Sequence, residues 1–254
     1  MEEKKENNFL VVKHNSLINF KTKTSYTLNQ FKMVCFLVSH IKPEDKDFQL
    51  KRISIKDLGL SAINSNNHKK LSEEFLELMS NPFRLPNNEN QKKKTWVNWF
   101  SSFSYEEGII EYKFDPLLKP FLLQLKDTFT TYQLKNILSL KSIYSIRMYE
   151  LLNQYKVIGK RTIEIEELKT LLNIPDSYKN NDISRLIKSI KKELTSKSDL
   201  TFDFEVIKES RQFKSFEFTI KYNKKENLEA NKILNVKDKI KSLSKGNQQK
   251  VQLI

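Results

Sequence analysis

Arg185, Lys188, Lys191 and Lys192, with Ser184 beside them, are residue types that recognise a polyanion. A guanidinium can grip two acceptors on a base edge, while an ammonium neutralises a phosphate. Between Asp182 and Ser198 the apolar residues Ile183, Leu186, Ile187, Ile190 and Leu194 recur on one narrow stripe of a 3.6-residue period. Arg185, Lys188 and Lys192 fall opposite that stripe, with Lys191 at its flank. A helix docked by one face and armed with cations on the other suits the major groove of duplex DNA. A two-stranded hairpin follows directly and reads as a wing. Lys208, Arg211 and Lys214 cluster at its tip, where they could reach the backbone beside the groove. A merely solvated Lys-rich helix would show the same stripe; the adjoining basic turn and the global charge favour the DNA reading.

Catalytic constellations are missing from the sequence. Gly59, Gly108, Gly159 and Gly246 are the only glycines and none lies in a phosphate-cradling loop, which excludes a P-loop or a dinucleotide fingerprint. His14, His40 and His68 are scattered, with no Cys or carboxylate at ligand spacing, so no metal is expected. A tyrosine that attacks DNA phosphate through a bound metal needs a histidine pair, and there is none. Glu73, Glu74 and Glu77 share a helix surface, which reads as a solvated face rather than acid–base machinery. The expectation is a binding protein, not an enzyme, without cofactor.

These residues must be positioned by a chain of 254 residues, more than the ~100–200 of one domain. Seventeen Phe and nine Tyr can fill real cores, which argues against disorder. No apolar run approaches the roughly 18 residues of a membrane span, and the charged start, Met1 to Asn8, lacks the apolar stretch of a signal peptide. Lone Cys35, in an apolar helical run, reads as a small buried hydrophobe and fits a reducing cytoplasm. The net charge of +14 implies an anionic partner, nucleic acid first and an anionic membrane surface second.

Along the chain, Leu28 to Ile41 has helical spacing behind a Thr27 N-cap. Leu50 to Ile55 reads as a strand and Lys56 to Leu60 as a short helix. A helix capped at Asn66 or Asn67 runs to Ser80, burying Leu71, Phe75, Leu78 and Met79. Trp96 to Tyr105 and Ile109 to Phe114 form a hairpin around Glu106-Glu107-Gly108. After a helix and connector from Pro116 to Phe129, Tyr132 to Leu138 and Ser142 to Tyr155 read as helices. Thr162 to Ile165 is a strand and Glu166 to Leu172 a short helix, before the cationic helix and its hairpin.

The two halves follow one plan. Ile53-Ser54-Ile55-Lys56-Asp57-Leu58 resembles Ile163-Glu164-Ile165-Glu166-Glu167-Leu168, each a strand leading into a short helix. The fold class is α+β, two tandem winged-helix domains related by an internal pseudo-repeat: 9–128, 129–222, and a basic tail at 223–254. In the first domain His68, Lys69 and Lys70 start the long helix, but Glu73, Glu74 and Glu77 follow and would repel phosphates. Only that helix start is expected to touch DNA, supported by Lys92, Lys93 and Lys94. Part of the aromatic surface of Trp96, Trp99, Phe100 and Phe103 is available for a protein interface, though core packing accounts for most of it.

Several segments carry a family resemblance. Val12-Lys13-His14-Asn15-Ser16-Leu17-Ile18, Trp99-Phe100-Ser101-Ser102-Phe103-Ser104-Tyr105 and Leu118-Lys119-Pro120-Phe121-Leu122 are similar to the initiator proteins of iteron-containing plasmids. So are Leu138-Ser139-Leu140-Lys141-Ser142 and the run from Tyr144 to Leu152, and the likeness extends in order over about residues 9 to 221. It implies two winged-helix domains that bind direct repeats (iterons) at a plasmid origin, help open an adjacent AT-rich segment and recruit the host initiator and replicative helicase. It implies monomers on iterons and homodimers repressing their own promoter at an inverted repeat. The N-terminal domain would supply the dimer interface and the C-terminal domain the main recognition helix. Carried onto this chain, the resemblance makes Arg185, Lys188 and Lys192 groove and phosphate contacts. Lys141 and Ser142, before a helix start, become backbone contacts. Arg147, between apolar residues within a helix, reads as structural. A winged-helix transcriptional regulator without origin activity shares the charge and helix pattern; only the family motifs separate the two.

Overall fold

The computed structural model describes residues 9–20, 26–54, 68–85, 93–123, 125, 127–210 and 212–222. The chain opens with β1 (Leu10–His14), the one-turn helix α1 (Asn15–Ile18), α2 (Leu28–Ser39), β2 (Lys51–Ser54) and α3 (His68–Met79). Two-residue strands β3 (Phe83–Arg84) and β4 (Trp96–Val97) precede the hairpin β5 (Phe100–Glu106) and β6 (Ile109–Phe114). A 3-10 turn at Pro116–Leu118 runs into α4 (Lys119–Leu122). Then come β7 (Phe129–Gln133), α5 (Leu134–Leu138), α6 (Ile143–Asn153), β8 (Lys160–Glu164), α7 (Ile165–Leu172), α8 (Asn180–Lys197), β9 (Leu200–Glu209) and β10 (Gln212–Tyr222).

The pseudo-repeat is visible as topology. One three-stranded sheet has the order β2-β6-β5 and the other β8-β10-β9. In both, a lone strand pairs antiparallel with the returning strand of the hairpin. Helix, strand, helices and hairpin in this order make each unit a winged helix. The short helix expected at Lys56 to Leu60, the Asn66 or Asn67 cap and the tail at 223–254 lie outside the described residues.

Local chemistry explains the boundaries. The Thr27 hydroxyl accepts from the Gln30 amide at 3.1 Å while the Gln30 side chain accepts from the Thr27 amide at 3.0 Å. This reciprocal capping box starts α2 where its sequence implies. Between β5 and β6 only Glu107 and Gly108 intervene, with φ of 45° and 83°. Two left-handed residues in succession match the twist of a two-residue hairpin, and Gly108 adopts that conformation without strain.

Two expectations are corrected. Trp96 to Tyr105 is not one strand: Trp96–Val97 pairs with Phe83–Arg84, and β5 begins at Phe100 with a bulge before Ser102. The break buries Trp99, whose ring lies 5.0 Å from Phe83 and 5.9 Å from Phe20, and leaves Trp96 55% exposed. Nor does a helix begin at Tyr132. Phe129–Gln133 is a strand paired with β1, in register from Leu10↔Gln133 to His14↔Phe129, and helix starts only at Leu134. Thr130, Thr131 and Tyr132 favour extended backbone, and the N-terminal strand supplies the partner that makes it pay.

Helix α6 is the shared spine. Every residue from Ser145 to Asn153 is buried, the pattern of a helix packed on all sides. Gln154 exchanges hydrogen bonds with Asn19, and the Tyr149 hydroxyl donates to Asp199 at 2.9 Å. The Arg147 guanidinium, 7% exposed, donates to the carbonyls of Phe20 and Leu171 and to the Glu150 carboxylate. Arg147 is structural, as its place between apolar residues implies.

Candidate nucleic-acid interface

Helix α8 is held by its apolar stripe. Ile183, Ile187, Ile190 and Leu194 are buried, and Leu186 is partly covered at the stripe's edge. At the start of the helix the Asp182 carboxylate accepts from the Lys179 amide at 3.1 Å, where the helix dipole favours negative charge. The opposite face presents Arg185, Lys188 and Lys192, all exposed. Arg185 stands 3.6 Å from Asp182, but with its side chain 81% exposed such a pair holds it only weakly. Ser184 donates its hydroxyl to the Asn180 carbonyl at 3.0 Å, leaving the oxygen free to accept.

Lys191 has a different setting. Its ammonium bonds one oxygen of Asp203 on β9 while Lys221 on β10 takes the other. Hydrogen bonds from Lys191 and then Lys221 hold the Asp203 carboxyl down at about 2. The structure thus sets Lys191 as a tie between α8 and the sheet, apart from the three outward cations.

On the hairpin, Lys208 stacks its ammonium 5.0 Å from the centre of the Phe213 ring. Lys214 pairs with Glu209 at 2.7 Å, which raises its pKa. Arg211 lies outside the described residues. Between the start of α8 and this wing runs an open groove of about 690 Å³, lined on one side by Lys179, Asn180 and Asn181 and on the other by Gln212, Phe213 and Lys214. Glu164 and Glu166 line it too. The arrangement offers amide and ammonium groups on two walls of a cleft open to a partner.

Lys141 and Ser142 precede α6, and a carboxylate of α8 stands beside them. Glu193 of α8 accepts from the Lys141 amide at 2.7 Å and from the Ser145 hydroxyl at 2.7 Å, and pairs with Lys197 at 2.9 Å. Burial pushes the Glu193 carboxyl up, yet these bonds outweigh it and hold it below its ordinary value. A carboxylate thus stands beside the helix start, with the Lys141 side chain exposed and the half-exposed Ser142 hydroxyl making no capping bond. Sequence reasoning missed Glu193 and Asp203. The spacing of Glu193 and Lys197 hints at a helical pair, but nothing local shows that α6 is the true partner.

In the first unit, α3 carries His68, Lys69 and Lys70 in its first turn and Glu73, Glu74 and Glu77 after it. Glu74 accepts from Thr27 at 2.8 Å and Glu77 from Gln30 at 3.1 Å, both neutral donors of α2 and its cap. Lys93 and Lys94 are exposed; Lys92 lies outside the described residues. Phe103 stacks on Phe75 at 3.8 Å and Phe100 is buried, so core packing accounts for most of the aromatic set. Among the described residues no helix is long and apolar enough to cross a membrane, and no three His, Cys, Asp or Glu side chains gather as a metal site.

A family model described as "Initiator Replication protein, WH1" matches residues 10–153, and one described as "Initiator Rep protein, WH2" matches residues 164–220. The first match runs through α6. No curated protein matches the sequence. Among solved structures, the "Crystal structure of SeMet derivatives of domain2 and domain 3 of RctB" is similar at 10% identity and a TM-score of 0.46, over 79% of this chain and 84% of that one.

Proposed function

The chain belongs to the initiator replication protein family, and from that premise we propose that it binds duplex DNA at a plasmid replication origin through α8 and the adjoining wing. One observation supports this reading above the others: Arg185, Lys188 and Lys192 stand exposed on one face of a helix whose other face is buried. Arg185 is the candidate for a bidentate base contact, and the lysines suit phosphates. Ser184 adds an acceptor beside Arg185, and Lys208, Arg211 and Lys214 serve the backbone at the wing. Lys191 supports the helix from behind. Residues 129–222 form the main reading unit. Residues 9–128 assist through His68, Lys69 and Lys70 and mediate pairing of two copies.

In this reading the bound sites are iterons, and binding promotes opening of adjacent DNA and recruitment of the host initiator and helicase. A homodimer represses the chain's own promoter at an inverted repeat. The chain acts in the cytoplasm and performs no chemistry on DNA. Footprinting the purified protein on the DNA upstream of its own coding sequence tests this. Protection of evenly spaced direct repeats is the expected result. Protection of a lone palindrome would replace the initiator by a transcriptional regulator, and metal-dependent cleavage would overturn the non-enzymatic reading.

A further inference from the structure

The cationic face of α8 can read bases only if the helix holds its angle to the rest of the chain. Its apolar stripe sets which face is buried and the broad crossing angle; polar contacts refine it. What pins the C-terminal half of α8 is polar. Glu193 reaches out of α8 to the start of α6, taking the amide of Lys141, two residues before that helix, and the Ser145 hydroxyl in its first turn at 2.7 Å each. Ser142, at the N-cap position of α6, makes no side-chain capping bond, and the Glu193 carboxylate brackets it by holding the residue before it and the Ser145 side chain three residues after it. One turn further on, Ser139 donates to the Lys197 carbonyl at 2.7 Å. Lys32 of α2 donates to the Leu138 carbonyl at 2.8 Å and lies within electrostatic reach of Glu193, Lys141 and Lys197.

We infer that Glu193 is a positioning residue for DNA recognition: it locks α8 onto the buried spine α6 and so aims Arg185, Lys188 and Lys192. Glu193 itself touches no DNA. This rests on the reading of α8 as the recognition helix. The carboxylate bonds one group just before α6 and one in its first turn while remaining paired within α8 to Lys197. That geometry constrains both translation and roll of α8. Loss of the lock leaves the cations in place but lets their aim wander. Nonspecific attraction survives such wandering, because phosphates surround the groove, whereas a bidentate base contact does not.

The test uses the full chain and two fluorescent duplexes of equal length, one selected by the wild-type protein from a random pool and one scrambled. The ratio of the two affinities is the readout, since an inactive fraction scales both equally. Glu193→Ala is expected to lower that ratio roughly tenfold, comparable to losing one base contact, with scrambled-duplex affinity held or slightly raised by the removed negative charge. Glu193→Gln, which keeps an oxygen for the Lys141 amide and can donate its NH2 to the Ser145 hydroxyl oxygen, is expected to recover most of the ratio. A residue serving stability alone would lower the melting temperature and leave the ratio at its wild-type value; that result overturns the proposal. The triple variant of Arg185, Lys188 and Lys192 to Ala separates the two claims. If it keeps the wild-type ratio, the reading of α8 falls; if it loses the ratio while both Glu193 variants keep it, only the positioning role falls.

Discussion

Lys13 and Glu150 meet in a buried ion pair, 3.0 Å apart and each 1% exposed, across 137 positions of sequence. Glu150 also takes Arg147 at 3.3 Å and the Tyr132 hydroxyl, so one carboxylate compensates two buried cations. Lys13 comes from β1, Tyr132 from β7, and Arg147 and Glu150 from α6. The cluster therefore fastens the N-terminal strand to the shared spine.

Removing the carboxylate leaves two uncompensated cations. Glu150→Ala is expected to cost about 3–5 kcal/mol in urea unfolding, the range for breaking a buried pair. Lys13→Met removes the excess cation and leaves the Arg147 pair intact, so it is expected to cost clearly less. Equal costs for the two variants would show that the cluster does not share charge in this way.

At the first hairpin, Gly108 has φ of 83° with no atom within 4 Å of an added Cβ. Gly108→Ala is expected to destabilise by about 1 kcal/mol through backbone strain alone. Affinity for DNA through α8 should not change. A loss of several kcal/mol in the same unfolding experiment would mean that the turn is packed against something else.

Asp203 is held at about 2 by Lys191 and Lys221. A depressed carboxyl contributes stability that is present above its ordinary value of about 3.9 and is lost as pH falls through about 2. Both partners are substantially exposed, so solvent screens the pairing and its contribution is small. An NMR titration of the Asp203 side chain should show a midpoint near 2, moving upward in Lys191→Ala. A midpoint unmoved by that substitution would detach Lys191 from the role of tie.

What was legible in the sequence was local. The Thr27 cap and the stripe of Ile183, Ile187, Ile190 and Leu194 each lie within a few turns of one helix, where spacing alone decides the face. The two-sheet plan was legible because Ile53 and Ile163 begin the same strand-to-helix phrase. The pairing of β1 with β7 was not, because Leu10 and Gln133 are joined only by the fold. Four of the five residues in β7 are buried, which erases the alternation that marks a one-sided strand. Glu193 was hidden for the same reason: between Lys192 and Leu194 it reads as a solvated acid, and its partner Lys141 belongs to another element. Lys191 shows the converse, a cation at the flank of the stripe that the sheet claims through Asp203.

Arg185 is assigned to a base and Lys192 to a phosphate, and salt-dependent binding of two single variants separates the two roles. Arg185→Ala should lose about 1–3 kcal/mol on the selected duplex and relax discrimination at one base position. Lys192→Ala should weaken binding to every duplex alike and reduce the slope of log affinity against log salt by about 0.9. Wild-type affinity and slope in both variants would contradict the assignment of α8 to the groove.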